Sequence, residues 1–175
     1  MTADGLALVP PLSVDEFKNA INLTDENQTD EAEQWLRAAV RTVEGRVGAL
    51  NPRSITVQLD EGHGGRYWHR TDPVLEVTAV DGETPTAVRV SSIGVITGLP
   101  TSAAAITLRI GQEPVPDDLV LAVFFLGSHL WEMRRGRQGR RGAYARDDEP
   151  APQTGFAIPR RALELMADHL LPGMA

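Results

Sequence analysis

There is no cysteine among the 175 residues, which excludes disulfides, thiolate catalysis and cysteine-ligated zinc and leaves the redox compartment open. Lysine is nearly absent as well: Lys18 stands alone among 17 basic residues, and the others are arginine. Aromatic residues make up only 5%. The longest apolar run, Leu119 to Leu126, is far short of the roughly 20 residues that a membrane-spanning helix takes. The first residues, Met1 to Pro11, have neither the positive charge nor the apolar length of an export signal. A protein made and used in the cytoplasm is therefore expected. No phosphate-binding glycine loop, nucleophile–base motif or metal-ligand spacing is present. An enzyme is the least favoured class of function, and no cofactor, metal or catalytic residue is expected.

What is present is an uneven charge. The chain carries a net −7 with a pI near 5.1, which argues against a protein that coats nucleic acid all over. Yet residues 131–146 hold Arg134, Arg135, Arg137, Arg140, Arg141 and Arg146 against Glu132, a local +5 that leaves −12 for the rest. A basic segment on an acidic body suits docking between unlike surfaces, whether copies of this chain or another partner.

The local patterns divide into three stretches. Ser13 and Glu16 have capping-box spacing ahead of a short helix to Asn22, with Val14, Phe17 and Ile21 as its apolar stripe. After a polar, acidic connection, Ala32, Leu36, Ala39, Val43 and Val47 recur at helical steps from about Thr29 until Gly48 and Pro52. Beyond Pro52 the period becomes two. Short segments around Ile55–Leu59, Arg66–Arg70, Val74–Val80, Thr86–Val90, Ile93–Thr97 and Ala105–Ile110, punctuated by Gly and Pro, predict one small antiparallel sheet of five or six strands.

Helical patterning returns at Pro116, with Asp117 and Asp118 in the first turn, and Gly136 is expected to end that helix. At about 100° per residue the eight apolar residues Leu119–Leu126 circle the axis more than twice, so burial on every side is expected, by the rest of the fold, by other copies, or by both. A loop over 136–155 follows, and Pro159 begins a last helix with Ala162, Leu163, Met166 and Leu170 facing inward. Leu36, Val43, Leu119, Val123, Phe124, Leu126, Leu130, Trp131 and Leu163 are the expected core. Gly45 and Gly127, inside helices, each cost about 1 kcal/mol relative to alanine, which close helix packing would offset.

The fold class expected is α+β: a mainly helical bundle of about four helices with an inserted small β subdomain. Residues 1–52 supply the first helices, 53–114 the insertion and 115–175 the last helices, within one folding domain.

Candidate chemistry is sparse. Asp60, Glu61, His63, His69 and Glu76 could be written as a metal or acid/base set, but His63 sits in a glycine-rich turn and His69 alternates with Tyr67, so convergence is not expected. His129 and Trp131 read as a satisfied polar pair in the core. The acidic segment 25–33 lacks the ligand alternation of a calcium loop. The candidate partner or subunit interface is the arginine segment with Tyr144. Its favoured reading is a loop that orders on docking, ahead of merely solvated charge or direct contact with DNA phosphates.

Two sets of residues carry a resemblance. One is Leu12-Ser13-Val14-Asp15-Glu16-Phe17-Lys18 with Ala38-Ala39-Val40-Arg41-Thr42-Val43-Glu44. The other runs from Val115-Pro116-Asp117-Asp118-Leu119 through Gly127-Ser128-His129-Leu130-Trp131-Glu132 to Ile158-Pro159-Arg160-Arg161-Ala162. In these positions and their order the chain resembles the head-to-tail connector, or adaptor, proteins of long-tailed bacteriophages. It departs from them at Leu108-Arg109-Ile110-Gly111, where relatives often have a tyrosine-bearing strand. The resemblance implies a virion protein at the head–tail interface, made in the host cytoplasm, with no turnover. It would form a dodecameric ring under the portal protein, extend the channel for the passing genomic DNA, and offer a docking surface to a downstream tail or stopper protein, with no membrane involved. A DNA-binding or packaging-associated protein using Arg134–Arg146 is the alternative.

Overall fold

The computed structural model describes residues 11–139 and 158–171. Among them are four α-helices and six strands in an α+β fold: α1 (Val14–Ala20), a 3-10 turn (Glu26–Gln28), α2 (Thr29–Val47), β1 (Arg53–Gln58), β2 (Arg66–Trp68), β3 (Val74–Val80), β4 (Arg89–Val90), β5 (Val95–Thr97), β6 (Ala105–Ile110), α3 (Asp117–Gly139) and α4 (Arg160–Met166), which ends in a second 3-10 turn (Ala167–His169). The chain divides into two compact units. One comprises the residues up to Val43 with Asp117–Asp168; the other comprises Glu44–Pro116 with the residues from His169 onward.

In the helical unit the local signals act as chemistry requires. Ser13 Oγ accepts from Glu16 N–H while Glu16 Oε2 accepts from Ser13 N–H at 3.2 Å, so both halves of the capping box form. Lys18 is buried, and its Nζ reaches Glu26 Oε2 at 3.2 Å and Thr29 Oγ1 at 3.0 Å, fastening α1 to the start of α2. Phe17 is wholly buried and meets Phe124 of α3 at 5.8 Å between ring centroids. A Cβ on Gly127 would lie 2.7 Å from Phe17 Cε2, 2.9 Å from Phe17 Cζ and 3.7 Å from Ala39 Cβ. Gly127 is thus the point where α1, α2 and α3 converge, and its missing side chain is what admits the Phe17 ring.

Gly45 is different. Nothing lies within 4 Å of where its Cβ would be, so close packing does not account for it. The substitution Gly45→Ala is expected to raise stability by about 1 kcal/mol through helix propensity and a less flexible unfolded chain. In thermal unfolding of the isolated protein this appears as a rise of roughly 2–4 °C in Tm, and a fall would show that the site is not open.

The six strands form two three-stranded antiparallel sheets, β1-β6-β3 and β2-β5-β4, not the single sheet expected. In the first, β6 is central, with Ile55 and Val77 both opposite Leu108. In the second, β5 is central, with Tyr67 and Val90 both opposite Ile96. β4 is only the last two residues of the segment expected at Thr86–Val90. The apolar faces of both sheets share one core around Val80, Ile96, Ile106, Leu108 and Ile110, with Tyr67, Val74 and Val90 packed against it. Period-two patterning assigns a residue to a face, but pairing partners depend on which segments meet across long loops, and the two sheets satisfy the same pattern.

The helix α3 does not stop at Gly136 but continues to Gly139. One glycine costs a helix about 1 kcal/mol, and the flanking Arg134, Arg135, Arg137 and Gln138 are good helix formers, so it is insufficient to end one. Pro159 stands just before α4 as its N-cap rather than inside it.

Candidate subunit interface

Along α3, Leu119, Ala122, Val123, Leu126, Leu130 and Trp131 are buried and Phe124 is partly so, together with Leu36 and Val43 of α2. Within one chain burial on every side is not reached, because Leu121 is 48% and Phe125 46% exposed. At about 100° per residue, Leu121 and Phe125 lie roughly 120° and 160° round the helix from Gly127, on the side turned away from the contact with Phe17 and Ala39. Asp117 and Glu132 are exposed too, and they fall within roughly 40° of Leu121 on the same face. The result is an apolar stripe with Asp117 near one end and Glu132 near the other, followed three residues on along the same face by Arg135. Those two acids were the legible sign that this side of the run stays open.

Leu163, expected in the core, is 37% exposed. The buried face of α4 is Ala162 and Met166, one turn apart, and in so short a helix Leu163 falls beside that line, not on it. Trp131 is buried and His129 only partly so.

A second open surface lies on the β2-β5-β4 sheet. Arg66, Thr97 and Arg89 are in register across it, so all three side chains share one face, as does Trp68 two residues beyond Arg66. Trp68 is 40% exposed, with its indole N–H donating to Ile93 O at 2.9 Å, and Ile93 is 59% exposed. The Arg70 guanidinium lies 3.9 Å from the centroid of the Trp68 ring, a stacked cation–π contact. Among the described residues Arg66, Arg70 and Arg89 have no ion-pair partner. The alternation Arg66-Tyr67-Trp68-His69-Arg70 could have revealed this face, since period two puts its arginines and tryptophan on one side.

His63 and His69 serve turns. His63 Nδ1 accepts from Gly65 N–H at 3.1 Å, and its Nε2 is 3.2 Å from Ala103 O. His69 Nε2 is 3.0 Å from Asp72 Oδ2, and Thr71 Oγ1 donates to the same oxygen at 2.9 Å. Asp72 Oδ1 accepts from Ala49 N–H at 2.8 Å, just past α2. Beside it, Glu44 Oε1 accepts from Leu50 N–H at 2.9 Å and takes Arg53 Nη1 at 3.2 Å. Gly48, at φ +80, completes the joint: a Cβ there would be 2.8 Å from both Pro73 Cδ and Thr71 O. Burial opposes the Asp72 charge, but hydrogen bonds from His69, Ala49 N–H and Thr71 outweigh it and hold the carboxyl below the usual carboxylate range. Glu76 instead faces Arg109, at 3.6 Å. Among the described residues no three His, Asp or Glu side chains are placed to hold a metal ion. No described helix is long and apolar enough to cross a membrane.

Arg134, Arg135 and Arg137 stand on the last turns of α3. Arg140, Arg141, Tyr144 and Arg146, and most of the loop expected at 136–155, lie outside the described residues.

No family model and no curated protein matches the chain. Among solved structures it is similar to a chain of the neck of a native GTA particle computed with C12 symmetry, at 25% identity and a TM-score of 0.59, over 97% of this chain and 95% of that one.

Proposed function

We propose that this chain is a structural component of the neck of a phage-like particle, a head-to-tail connector that forms a homo-oligomeric ring beneath the portal, extends the DNA channel and docks the tail. The observation that carries this reading is the similarity to a neck chain of a GTA particle, which spans almost the whole of both chains. A match of that extent concerns the complete architecture, helical unit and β unit together, and not one common motif. The C12 symmetry of that neck supports a cyclic arrangement of copies. The role is architectural and needs no turnover. Two exposed apolar surfaces on a chain of this size also suit a protein whose surfaces are covered in an assembly.

The test is reconstitution with the portal ring that shares its particle. Multiple copies of the chain should join each portal, visible as a collar by electron microscopy and as added mass by native mass spectrometry. Portal and chain remaining apart at high concentration would remove the connector reading. Duplex DNA in a salt series tests the alternative: tight, steeply salt-dependent binding by the isolated chain would favour a DNA-binding role through Arg134–Arg146.

A further inference from the structure

The outer face of the β2-β5-β4 sheet is set apart by its charge. Arg66 and Arg89 stand opposite Thr97 on either side of the central strand, and Trp68 follows Arg66 on the same face with the Arg70 guanidinium stacked on its ring. All three arginines are exposed. Residues 62–71 and 84–112, which supply every strand of this sheet, contain no Asp or Glu, in a chain that has 24 of them. Elsewhere Arg37, Arg53, Arg109, Arg160 and Arg161 each lie within ion-pair distance of a carboxylate, whereas among the described residues Arg66, Arg70 and Arg89 have no such partner. We propose that this acid-free face is a contact for the sugar–phosphate backbone of duplex DNA.

The composition of the face favours phosphate over a protein partner. Contacts between proteins are centred on apolar side chains, with charge depleted at the middle. Here the row across the strands is Arg-Thr-Arg, and Trp68 has one side of its ring covered by Arg70 and its N–H already donating to Ile93 O. DNA-binding surfaces are more polar and far more positive, and phosphates are held by arginine together with hydroxyl groups such as that of Thr97. A guanidinium stacked on an aromatic ring keeps its N–H edges free in the ring plane, which suits Arg70 to an anion at the rim. The three strands also hold no Asn or Gln to read base edges, so the contact is indifferent to sequence.

The dimensions agree. Arg66 and Arg89 are two strand spacings apart, roughly 10 Å. One strand of a duplex carries a phosphate every 3.4 Å or so of its axis, so the face spans about three phosphates, one for each arginine. Three contacts make a weak site in a single copy. The proposal rests on the connector reading, which brings DNA to the chain and repeats the weak site around a ring, where the contributions of the copies combine.

The test is a fluorescence-anisotropy titration of a short labelled duplex with the full chain across a salt series. With three phosphate contacts, affinity should fall roughly 40-fold between about 50 and 200 mM salt, equally for two duplexes of unrelated sequence. A face variant carrying Arg66→Gln and Arg89→Gln removes two exposed charges, and circular dichroism checks that it is folded. It should bind at least about tenfold more weakly at the lower salt, and its fall across the series should shrink to roughly fourfold, that of one remaining contact. A second variant, Arg134→Gln with Arg137→Gln, should keep the wild-type salt dependence.

No binding at the lower salt, or a face variant that binds as the wild type does, would overturn the proposal. A loss at Arg134 and Arg137 as large as that in the face variant would also overturn it, by placing the attraction elsewhere or in the charge at large. Polyglutamate is the probe for an acidic protein partner: if it binds as tightly as DNA and is lost in the same face variant, the face takes carboxylates and the DNA assignment falls. Capture by the portal ring is read separately. A face variant captured as the wild type is, yet unaltered in DNA binding, removes this contact and leaves the neck reading standing, whereas loss of DNA binding in a chain that the portal never captures removes the neck reading alone.

Discussion

Replacing Phe17 by alanine is expected to lower the stability of the isolated chain by about 3–5 kcal/mol, the cost of a cavity where a wholly buried aromatic ring stood. In a chain of this size that means roughly 10 °C or more in Tm. The effect is large because the ring fills the notch left by Gly127 and lies against Phe124, so its removal empties a point shared by three helices. The same geometry predicts a coupling. Gly127→Ala alone should cost about 1–3 kcal/mol, because its Cβ would press on two ring atoms that have nowhere to go. In a Phe17→Leu background the clash is relieved, and the helix propensity of alanine, up to about 1 kcal/mol, should offset most of the penalty. Denaturant unfolding of the double-mutant cycle measures this, and strictly additive effects would contradict it. Because Leu121 and Phe125 face away from Gly127, these variants report the core without altering the stripe.

Asp72→Ala should be nearly as damaging, at about 3 kcal/mol. It removes the acceptor for Ala49 N–H and the common partner of His69 and Thr71, and Ala49 is fully buried, so its N–H has no ready replacement in water. The chain leaves α2 at this joint, and Gly48 lets the backbone approach too closely for a side chain to intervene. The charge on Asp72 predicts a pH dependence with a definite sign. Its carboxyl is held below the ordinary value of 3.8, so its contribution is fully present above that value. It is lost as pH falls through the lower, folded-state value. The stability difference between the wild type and Asp72→Asn should therefore be constant from neutral pH to about pH 5 and shrink below about pH 4. A difference that widened on acidification would contradict this assignment.

Much of the helical unit was legible because its signals are local. Ser13 and Glu16 are three residues apart and make both halves of their cap, and Asp117 and Asp118 begin α3 where the patterning resumes after Pro116. Strand segments were legible for the same reason: Val74–Val80 and Ala105–Ile110 have the expected bounds, since alternation is a property of adjacent residues. Gly136 was misleading because a stop signal read from one residue ignores the helix formers on both sides of it. The eight apolar residues of α3 were legible as a surface that needs covering, but not as to which of them the chain itself covers. The acids Asp117 and Glu132 on that same face carried the missing information.

By itself, then, the order of residues determined which segments are helical and which are strands, which strand positions share a side, and that charge is divided between a basic segment and an acidic body, because caps, periodicity and charge operate over a few neighbouring residues. Only the tertiary structure decided that six strands make two sheets and that Gly127 is filled by Phe17 while Gly45 is open. It also decided that Asp72 closes on Ala49 and that Leu121 and Phe125 are left uncovered. Each of these depends on which segments, tens of residues apart, come to lie against one another. Alternative pairings with the same local patterns are separated only by the packing they achieve.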